Sequence, residues 1–384
     1  MRILFFHAYP HQYAGAQRIT QALGRELMSR GHSVLVVLPD EGPFSDRLRR
    51  GGVPTRIVAA PDGLKRYGRQ LEGARGLAAL PLLPGYWRRL RREIRKWQPD
   101  VVHVNDHRGA LLAAPAARLA RTPVVWHLHG SYASIPLTLL GGALSQRIVV
   151  VSEATRAEQA GLWPFARKTT VVHNGLLTAT ASPPGEAVTE APFESRRPLV
   201  VTGARLHPDK GIDVLVRAAD LLRRSHPHVR VVVAGAPQPG YEKHHAELLA
   251  LRSDLDLEET VEFCGLVDDP SALWRQADVY VQPSRREPFG LGVLEAMSLG
   301  TPVVATRAGG LAEVIEPGVS GLQVQTESPD ELATAITLLI SDRELAARLG
   351  ASGAERSRTT FCKERMVGRL LDVYAEAATS RKKR

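Results

Sequence analysis

The sequence predicts an α/β protein built from two doubly wound parallel sheets in tandem. Short apolar runs with the length of buried strands recur along the 384 residues, and segments with helical spacing of apolar residues lie between them. A polar stretch containing Thr, Ser, Pro and Gly interrupts this alternation near the middle of the chain. A chain of this length fits two domains better than one.

The first series of strands lies in the amino-terminal half, at residues 3–6, 34–38, 101–104, 123–128 and 148–151. Ile19, Leu23 and Leu27 recur every four residues and predict a helix between the first two strands. An Ala- and Leu-rich segment predicts another helix from about Gly109. Such βαβ units with right-handed crossovers predict one domain over residues 1–178. We expect residues 179–197 to be a linker.

The second series begins after this linker, with strands at residues 199–202, 229–234, 261–263, 279–281 and 302–305 and a helix at 212–223. These elements predict a second domain over residues 198–360, facing the first across a cleft. Ligands of doubly wound sheets bind beyond the carboxyl ends of the strands, so the loops at those ends are where we expect the functional residues.

Composition excludes several classes of protein. Hydrophobic residues make up 44% and charged residues 23% of the chain, which excludes collagen-like and largely disordered chains. Two cysteines, Cys264 and Cys362, exclude a disulfide scaffold and a four-thiolate zinc site. The net charge of +10 predicts affinity for phosphate groups of a nucleotide, a nucleic acid or an anionic membrane. Only 5% of residues are aromatic and no recognised binding motif is present, so we expect no nucleic-acid partner.

No export signal is visible, and the apolar stretch at residues 132–146 is too short to span a bilayer. The sequence therefore predicts a cytoplasmic protein, at most peripheral on the cytoplasmic face of the membrane.

Three loops that follow strands carry chemistry. Arg205 and Lys210 lie between a strand and a helix, where two cations and a helix amino terminus suit a diphosphate. In the next loop, Glu287 precedes Phe289, Gly290 and Leu291, whose backbone N–H groups suit oxygen ligands, and Glu295 follows one turn into a helix. A third loop contains Gly309 and Gly310, which permit a close backbone approach to a ligand. Each loop alone also fits a solvated turn.

Taken together, the motifs resemble one family. They comprise Gly203, Arg205, Leu206, Lys210 and Gly211; Phe263 and Gly265; Pro283, Ser284, Glu287, Pro288, Phe289, Gly290, Leu291, Leu294, Glu295, Ala296 and Met297; and the amino-terminal segments 13–17, 30–34, 127–130 and 173–175. This pattern is similar to that of the retaining nucleotide-sugar glycosyltransferases of the GT-B fold, specifically glycosyltransferase family 4 (glycosyl transferases group 1). Glu287 and Glu295, with seven residues between them, match the family's glutamate pair.

The resemblance implies a transferase that moves a sugar from a nucleotide sugar to a hydroxyl of a sugar, cyclitol or glycolipid, with retention of anomeric configuration. It implies no cofactor, and a UDP-sugar rather than a GDP-sugar. We also expect no required metal, because these motifs include no Asp-x-Asp triplet. Residues 361–380 resemble the family's last helix, which packs back on the first domain. Implied catalytic residues are His129, Arg205, Lys210 and Glu287; implied donor-binding residues are Gly15, Val267, Phe289, Gly290, Leu291 and Glu295.

Within this scheme, Arg205 and Lys210 neutralise the departing diphosphate, Glu287 holds the donor sugar, and Glu295 holds the ribose hydroxyls. The amino-terminal loop departs from the family, since Ala14, Gly15, Ala16 and Gln17 stand where two glycines and an acid are usual. We therefore expect a different acceptor side.

Two alternatives remain open at this point. Glu287 and Glu295 also suit a glycoside hydrolase, which needs two carboxyl groups flanking one bond. Residues 86–97 carry an apolar stripe, consisting of Tyr86, Trp87, Leu90, Ile94 and Trp97, among six basic residues. This pattern is typical of a helix lying on an anionic membrane, in a protein with or without transferase activity, and equally of a surface helix whose stripe packs on its own domain.

Overall fold

The computed structural model describes residues 1–65, 79–130, 134–176 and 197–379. The chain divides into two compact units, residues 1–177 with 363–384, and residues 178–362. Each unit contains one wholly parallel sheet flanked by helices, which confirms the predicted fold class. Except for residue 197, the predicted linker lies outside the described residues.

The first unit has a seven-stranded sheet in the order β3-β2-β1-β4-β5-β6-β7. Its strands are β1 Arg2–Phe6, β2 Ser33–Leu38, β3 Thr55–Ile57, β4 Val101–Asn105, β5 Val124–Leu128, β6 Arg147–Val150 and β7 Thr169–Val171. Its helices are α1 Gly15–Ser29, α2 Pro43–Arg50, α3 Asp62–Lys65, α4 Leu83–Trp97, α5 Asp106–Leu119, α6 Ile135–Leu144 and α7 Glu153–Glu158, with 3-10 helices at Leu80–Leu82 and Ala160–Lys168.

The second unit has a six-stranded sheet in the order β10-β9-β8-β11-β12-β13. Its strands are β8 Leu199–Gly203, β9 Arg230–Ala234, β10 Val261–Gly265, β11 Val279–Gln282, β12 Val303–Thr306 and β13 Leu322–Val324. Its helices are α8 Ile212–Ser225, α9 Glu242–Asp254, α10 Ser271–Gln276, α11 Leu291–Ser298, α12 Leu311–Val314, α13 Pro329–Ser341 and α14 Arg343–Thr359, with a 3-10 helix at Pro208–Lys210.

The central strands are buried on both faces, as expected for parallel sheets covered by helices. All five residues of β4 and all four of β11 are buried. Against this apolar background, His103, Asn105 and Gln282 are polar residues buried at or near the carboxyl ends of their strands. Buried polar groups need hydrogen-bond partners, so these positions point to the functional edge of each sheet.

Helix α5 begins at Asp106, three residues before the predicted start at Gly109. The Ala and Leu pattern predicts only the apolar centre of this helix, because its first turn carries the polar residues Asp106, His107 and Arg108.

The last helix, α15 Lys363–Thr379, packs on α1 and on strands of the first sheet. Met366, Leu370 and Tyr374 are buried. The Tyr374 hydroxyl lies 2.7 Å from Nδ1 of His103 on β4, and the backbone N–H of Gly175 lies 3.1 Å from the Met366 sulfur. The carboxyl terminus thus completes the core of the unit that the amino terminus begins.

The apolar stripe of residues 86–97 lies in α4 and faces inward. Tyr86, Leu90 and Ile94 are at most 2% exposed and belong to the core of the first unit. Trp87 donates from its indole to the carbonyl of Leu111, and the ring of Trp97 packs beneath the Arg2 guanidinium. Of the two alternatives for this helix, the structure therefore shows the stripe packing on its own domain.

No helix in the described ranges combines the length and the apolar character that crossing a bilayer requires.

Candidate active site

In the second unit, two of the predicted loops meet where the strand order reverses. β8 lies between β9 and β11, so the connections after β8 and β11 leave the sheet in opposite directions. This topology opens a crevice at the carboxyl ends of these two strands. Residues 204–211 follow β8 and residues 283–290 follow β11, which places Lys210 and Glu287 at the same edge of the sheet.

Lys210 and Glu287 form an ion pair, with 2.6 Å between Nζ and Oε2. Their side chains are only 11% and 12% exposed, so solvent screens the pair little. Ser284 donates its hydroxyl to the same carboxylate oxygen at 3.2 Å. Among the described residues, Oε1 of Glu287 has no partner, and Lys210 keeps two N–H donors unused. The pair therefore offers a fixed cation and a fixed acceptor side by side.

A chain of buried hydrogen bonds holds this carboxylate in place. Gln282 donates to the Ser284 hydroxyl at 2.9 Å, and the Tyr280 hydroxyl donates to Gln282 Oε1 at 3.1 Å. Gln282 and Ser284 are almost fully buried at the end of β11. Because these residues sit on the central strand, the orientation of Glu287 is set by the sheet and not by its loop alone.

Arg285 joins the two loops. Its guanidinium binds both carboxylate oxygens of Asp213 on α8, at 2.8 and 2.7 Å, and the carbonyl of Pro208 at 2.8 Å. It also binds Glu327. The hydrogen bonds that Arg285 donates to Asp213, and then those to Glu327, raise the pKa of Arg285. Burial favours the neutral form of Asp213, but the bonds from Arg285 outweigh it and lower the pKa of Asp213 below its ordinary value.

Arg205 has different neighbours from Lys210. It is exposed, and its guanidinium donates to Gln238 Oε1 at 2.8 Å. His207 lies between the two cations in the chain, and its ring is tilted by 49° to that of Tyr241, with 4.3 Å between centroids. Burial lowers the pKa of His207; the charge of Asp209 opposes this shift, and the charges of Arg205 and Lys210 add to it. The loop thus carries one buried, engaged cation and one exposed cation.

Gly290 sets the start of α11. It adopts a left-handed backbone with φ of 104°, and a Cβ at this position would lie 2.5 Å from the Leu311 side chain. Phe289 is buried against Phe361, with 5.7 Å between ring centroids. Gly310 donates its N–H to the Glu287 carbonyl at 2.8 Å, so the third predicted loop packs directly on the second. Leu291 begins α11, whose first turn has N–H groups without intrahelical partners.

Glu295 lies on α11 and is 9% exposed, and its carbonyl accepts from the Ser298 hydroxyl at 2.7 Å. Val267 is half-buried, two residues beyond the end of β10. The expectation of no metal draws no support from a general lack of Asp-x-Asp triplets, because one, residues 254–256, lies between the end of α9 and the start of β10. This triplet therefore approaches the amino ends of the strands, at the edge opposite the predicted donor loops.

In the first unit, the strand order reverses at β1 and β4. His129 follows β5 and is half-buried, and its Nε2 lies 2.8 Å from Oδ1 of Asn105 at the end of β4. Asn105 donates to the carbonyl of Phe6 at 3.3 Å, so its Oδ1 is the atom that accepts from His129. Nε2 therefore carries the proton, and Nδ1 of His129 is left as an acceptor.

His129 belongs to a cluster of histidine rings. The ring of His127 lies 4.0 Å from that of His129, and His103 lies 5.2 Å from His127. Burial lowers the pKa of His129 to about 4 and that of His103 to about 3. These rings are neutral at neutral pH. No group of three or more His, Cys, Asp and Glu side chains in the described part of the chain is arranged to hold a metal ion.

Gly15 is the first residue of α1, directly after the cap residue Ala14. Gln17 reaches back and accepts from the Ala14 N–H at 3.2 Å, which satisfies one backbone donor at this helix terminus. Gln17, which stands where the family usually has an acid, thus caps the amino terminus of α1.

Two family models match the chain: glycosyltransferase family 4 over residues 13–180, and glycosyl transferases group 1 over residues 186–356. A D-inositol 3-phosphate glycosyltransferase of Saccharomonospora viridis is 30% identical over 361 residues, which cover 90% of this chain and 80% of the relative. The chain belongs to glycosyltransferase family 4. It is a glycosyltransferase that uses a nucleotide-sugar donor.

Two further relatives extend the comparison of this family 4 glycosyltransferase over nearly its whole length. A glycogen synthase of Mycobacterium tuberculosis is 29% identical over 414 residues, covering 98% of this chain and 95% of the relative. The crystal structure of Anabaena Alr3699/HepE in complex with UDP and glucose aligns with a TM-score of 0.80 and 23% identity, over 98% of this chain and 99% of that one. The latter shows the shared GT-B fold.

Membership of family 4 sets aside two alternatives, the glycoside hydrolase and the membrane-binding protein without transferase activity. Sequence reasoning did not single out the residues that hold Glu287 and His129 in place. Ser284, Gln282, Tyr280 and Arg285 act on Glu287 or on its loop, and Asn105 acts on His129. Only Ser284 lies in a recognised motif; the others carry no signal that separates them from ordinary core or loop residues.

Proposed function

We propose that this family 4 glycosyltransferase transfers a sugar from a UDP-sugar to a hydroxyl of a sugar, cyclitol or glycolipid, retaining the anomeric configuration without a metal ion. The observation that carries the proposal is the buried Lys210–Glu287 pair at the switch point of the second sheet. Its unused donors and its unused acceptor oxygen match the two halves of a nucleotide sugar, a diphosphate and a hydroxylated ring.

In this proposal Lys210 binds the diphosphate through its two remaining N–H groups. Arg205 is exposed at the same loop and swings from Gln238 to the phosphates when the donor arrives. Fixed positive charge stabilises the diphosphate as the anomeric bond breaks, and each such group is worth about 100- to 1000-fold in rate. These two cations supply the charge neutralisation that a divalent metal supplies in other transferases.

Glu287 accepts a donor-sugar hydroxyl on Oε1 while Lys210 and Ser284 hold Oε2. Glu295, Val267 and the first turn of α11, at Phe289, Gly290 and Leu291, bind the nucleoside and phosphate. The acceptor hydroxyl attacks from the face that the diphosphate leaves, and a leaving phosphate oxygen takes its proton. This route retains configuration and needs no enzyme nucleophile.

His129 and Gly15 are in the other unit, and their roles remain predictions. His129 is neutral and presents Nδ1 as an acceptor, which suits a sugar hydroxyl. The UDP preference is supported by the HepE structure, which holds UDP and glucose, and the acceptor classes by relatives that are a glycogen synthase and a D-inositol 3-phosphate glycosyltransferase.

The test is a transfer assay with UDP- and GDP-sugars against a panel of glucan, inositol phosphate and glycolipid acceptors, with and without a chelator. We expect turnover with a UDP-α-sugar, an α-linked product by NMR, and no loss on chelation. Lys210→Ala should lose about 100-fold or more in rate, while Arg217→Ala, which removes an exposed cation of the same unit, should keep full activity. A β-linked product, or full activity of Lys210→Ala, would refute the mechanism.

A further inference from the structure

Helix α6 of the first unit presents an apolar surface to solvent. It contains no charged residue, and its exposed side includes Ile135, Leu139 and Leu140, which are 50%, 39% and 41% exposed. A surface helix of a globular protein usually turns polar residues outward, so this pattern is reversed. Nothing in the catalytic proposal uses these side chains.

Trp163 extends this surface. It is 80% exposed and lies in the 3-10 helix Ala160–Lys168, which packs on α6. The contact is close at two points: a Cβ on Gly161 would lie 2.8 Å from Thr138, and one on Gly142 would collide with the ring of Phe165. Trp163 therefore projects from a segment that packs along α6. We call Ile135, Leu139, Leu140 and Trp163 the apolar ridge.

Three cations lie on the elements next to α6. Arg118 and Arg121 lie at and just beyond the end of α5, which packs on α6, and Arg167 lies four residues after Trp163. All three are exposed, and none has an acidic partner among the residues that the structure describes.

The Lys168 ammonium group binds the carbonyl of Ser145, just beyond the end of α6, at 2.7 Å. Burial lowers the pKa of Lys168, and the charge of Arg118 lowers it further, so Arg118 lies near this end of α6. Arg147, whose charge also lowers this pKa, is paired with Glu376 at 2.9 Å.

Helix α4 adds to this charge on the same side of the sheet. The crossovers carrying α4, α5 and α6 run in one direction along the strand order β3 to β6, and right-handed crossovers place all three helices on one face. Helix α4 packs on α5, and α5 packs on α6. Because the stripe of α4 faces inward, its exposed arginines, including Arg88, Arg92 and Arg95, extend the positive charge on this face.

We propose that the apolar ridge and the arginines on the adjoining elements dock the enzyme on an anionic lipid bilayer. An exposed Trp beside aliphatic side chains suits the interface between headgroups and acyl chains, and unpaired arginines suit anionic headgroups. A protein partner would account only for the apolar side chains. The unpaired arginines Arg118, Arg121 and Arg167 favour an anionic bilayer over a protein partner. Binding at this site is separate from the donor chemistry and does not depend on it.

The test is flotation of the purified protein with vesicles of phosphatidylcholine, alone or mixed equally with phosphatidylglycerol, at low and high salt. The protein should float with the mixed vesicles at low salt, and little with neutral ones. The ridge variant Leu139→Gln/Leu140→Gln/Trp163→Gln should bind at least about tenfold more weakly. Its control is Val319→Gln/Leu338→Gln, which removes two side chains of the other unit that are 46% and 44% exposed.

A second pair of variants separates charge from apolar contact. Arg118→Gln/Arg167→Gln should weaken binding to mixed vesicles by on the order of tenfold, whereas Arg217→Gln/Arg348→Gln, which removes two exposed arginines of the other unit, should not. All variants should melt within about 2 °C of the wild type, because surface changes cost little, and should turn over a water-soluble acceptor normally.

Three results would overturn the proposal. The first is a wild-type protein that does not float with anionic vesicles at low salt. The second is a ridge variant that floats as well as the wild type. The third is a wild-type dimer, seen by light scattering, that the ridge variant converts to a monomer while vesicle binding is unchanged, since the ridge would then be a protein interface.

Discussion

Replacement of Glu287 by Gln should separate nucleotide binding from sugar transfer. Without ligand, Glu287 holds Lys210 at 2.6 Å in an environment that is only 11% to 12% exposed. The carboxylate therefore neutralises part of the ammonium charge and repels a phosphate that binds beside it. Gln keeps the size and an acceptor atom of the side chain but removes the charge.

The size of the effect follows from the loss of that charge. Removing a like charge from beside the diphosphate is worth about 1 kcal/mol, a fraction of the roughly 4 kcal/mol between two unit charges 4 Å apart near a protein surface. UDP should therefore bind about fivefold tighter to Glu287→Gln. Transfer should nevertheless fall by about 100-fold or more, because Oε1 no longer offers a charged acceptor to the donor sugar.

Titration calorimetry with UDP and turnover with the UDP-sugar measure the two effects separately. Ser284→Ala is the matched control, since it removes the other bond to Oε2 at 3.2 Å without changing charge. It should leave UDP affinity within about twofold, because the ion pair persists. If Glu287→Gln bound UDP no more tightly than the wild type, the proposed repulsion between Glu287 and the diphosphate would be wrong.

Three further predictions concern stability. Arg285→Met should lower the melting temperature by about 4–8 °C, because it removes a half-exposed ion-pair network worth about 2 kcal/mol; calorimetry that shows no decrease would contradict the clamp. Burial lowers the pKa of His7 and His103 to about 3. Their neutral rings therefore stabilise the folded state fully above about pH 6.5, and this stability is lost as pH falls towards the folded pKa, by up to about 1.4 kcal/mol per pH unit for each ring. Urea unfolding at a series of pH values should show that the free energy of unfolding falls less steeply with acidification in His103→Gln than in the wild type. Gly211→Ala combines φ of 62° with a collision against a backbone carbonyl and should cost about 2–4 kcal/mol, whereas Gly240→Ala, at φ of 92° with open space, should cost about 1 kcal/mol by the same denaturation assay.

Much of the fold follows from local sequence pattern. Strands such as β4 and β11 are continuous apolar runs because helices cover both faces of a parallel sheet, and that composition is visible without a structure. The starts of helices are less visible. The polar first turn of α5, at Asp106, His107 and Arg108, has no apolar periodicity to reveal it.

The candidate active site also has features that the sequence predicts and features that it does not. Lys210 and Glu287 lie in loops after strands, so topology alone predicts that they share an edge of the sheet. Arg205 and Lys210 look equivalent in sequence, yet one is exposed on Gln238 and the other is buried on Glu287. The burial of Lys210 depends on the loop that carries Glu287, 77 residues away in the chain, and local sequence patterns do not encode such distant contacts. Arg285 was missed for the same reason.

The direction of the α4 stripe also depended on distant residues. The spacing of its apolar residues fits a membrane surface and a protein core equally. The stripe faces inward because α5 supplies the apolar surface that Tyr86 and Leu90 cover. By contrast, α6 has weak periodicity and its exposed apolar side chains become apparent only when neighbouring elements are in place.

The most direct measurement of the central claim is a crystal structure of the enzyme with a bound UDP-sugar. The account predicts phosphate oxygens within hydrogen-bond distance of Lys210 Nζ and the Arg205 guanidinium, and a sugar hydroxyl on Oε1 of Glu287. A donor bound at another site, with Lys210 still engaged only by Glu287 and Arg205 still on Gln238, would contradict it.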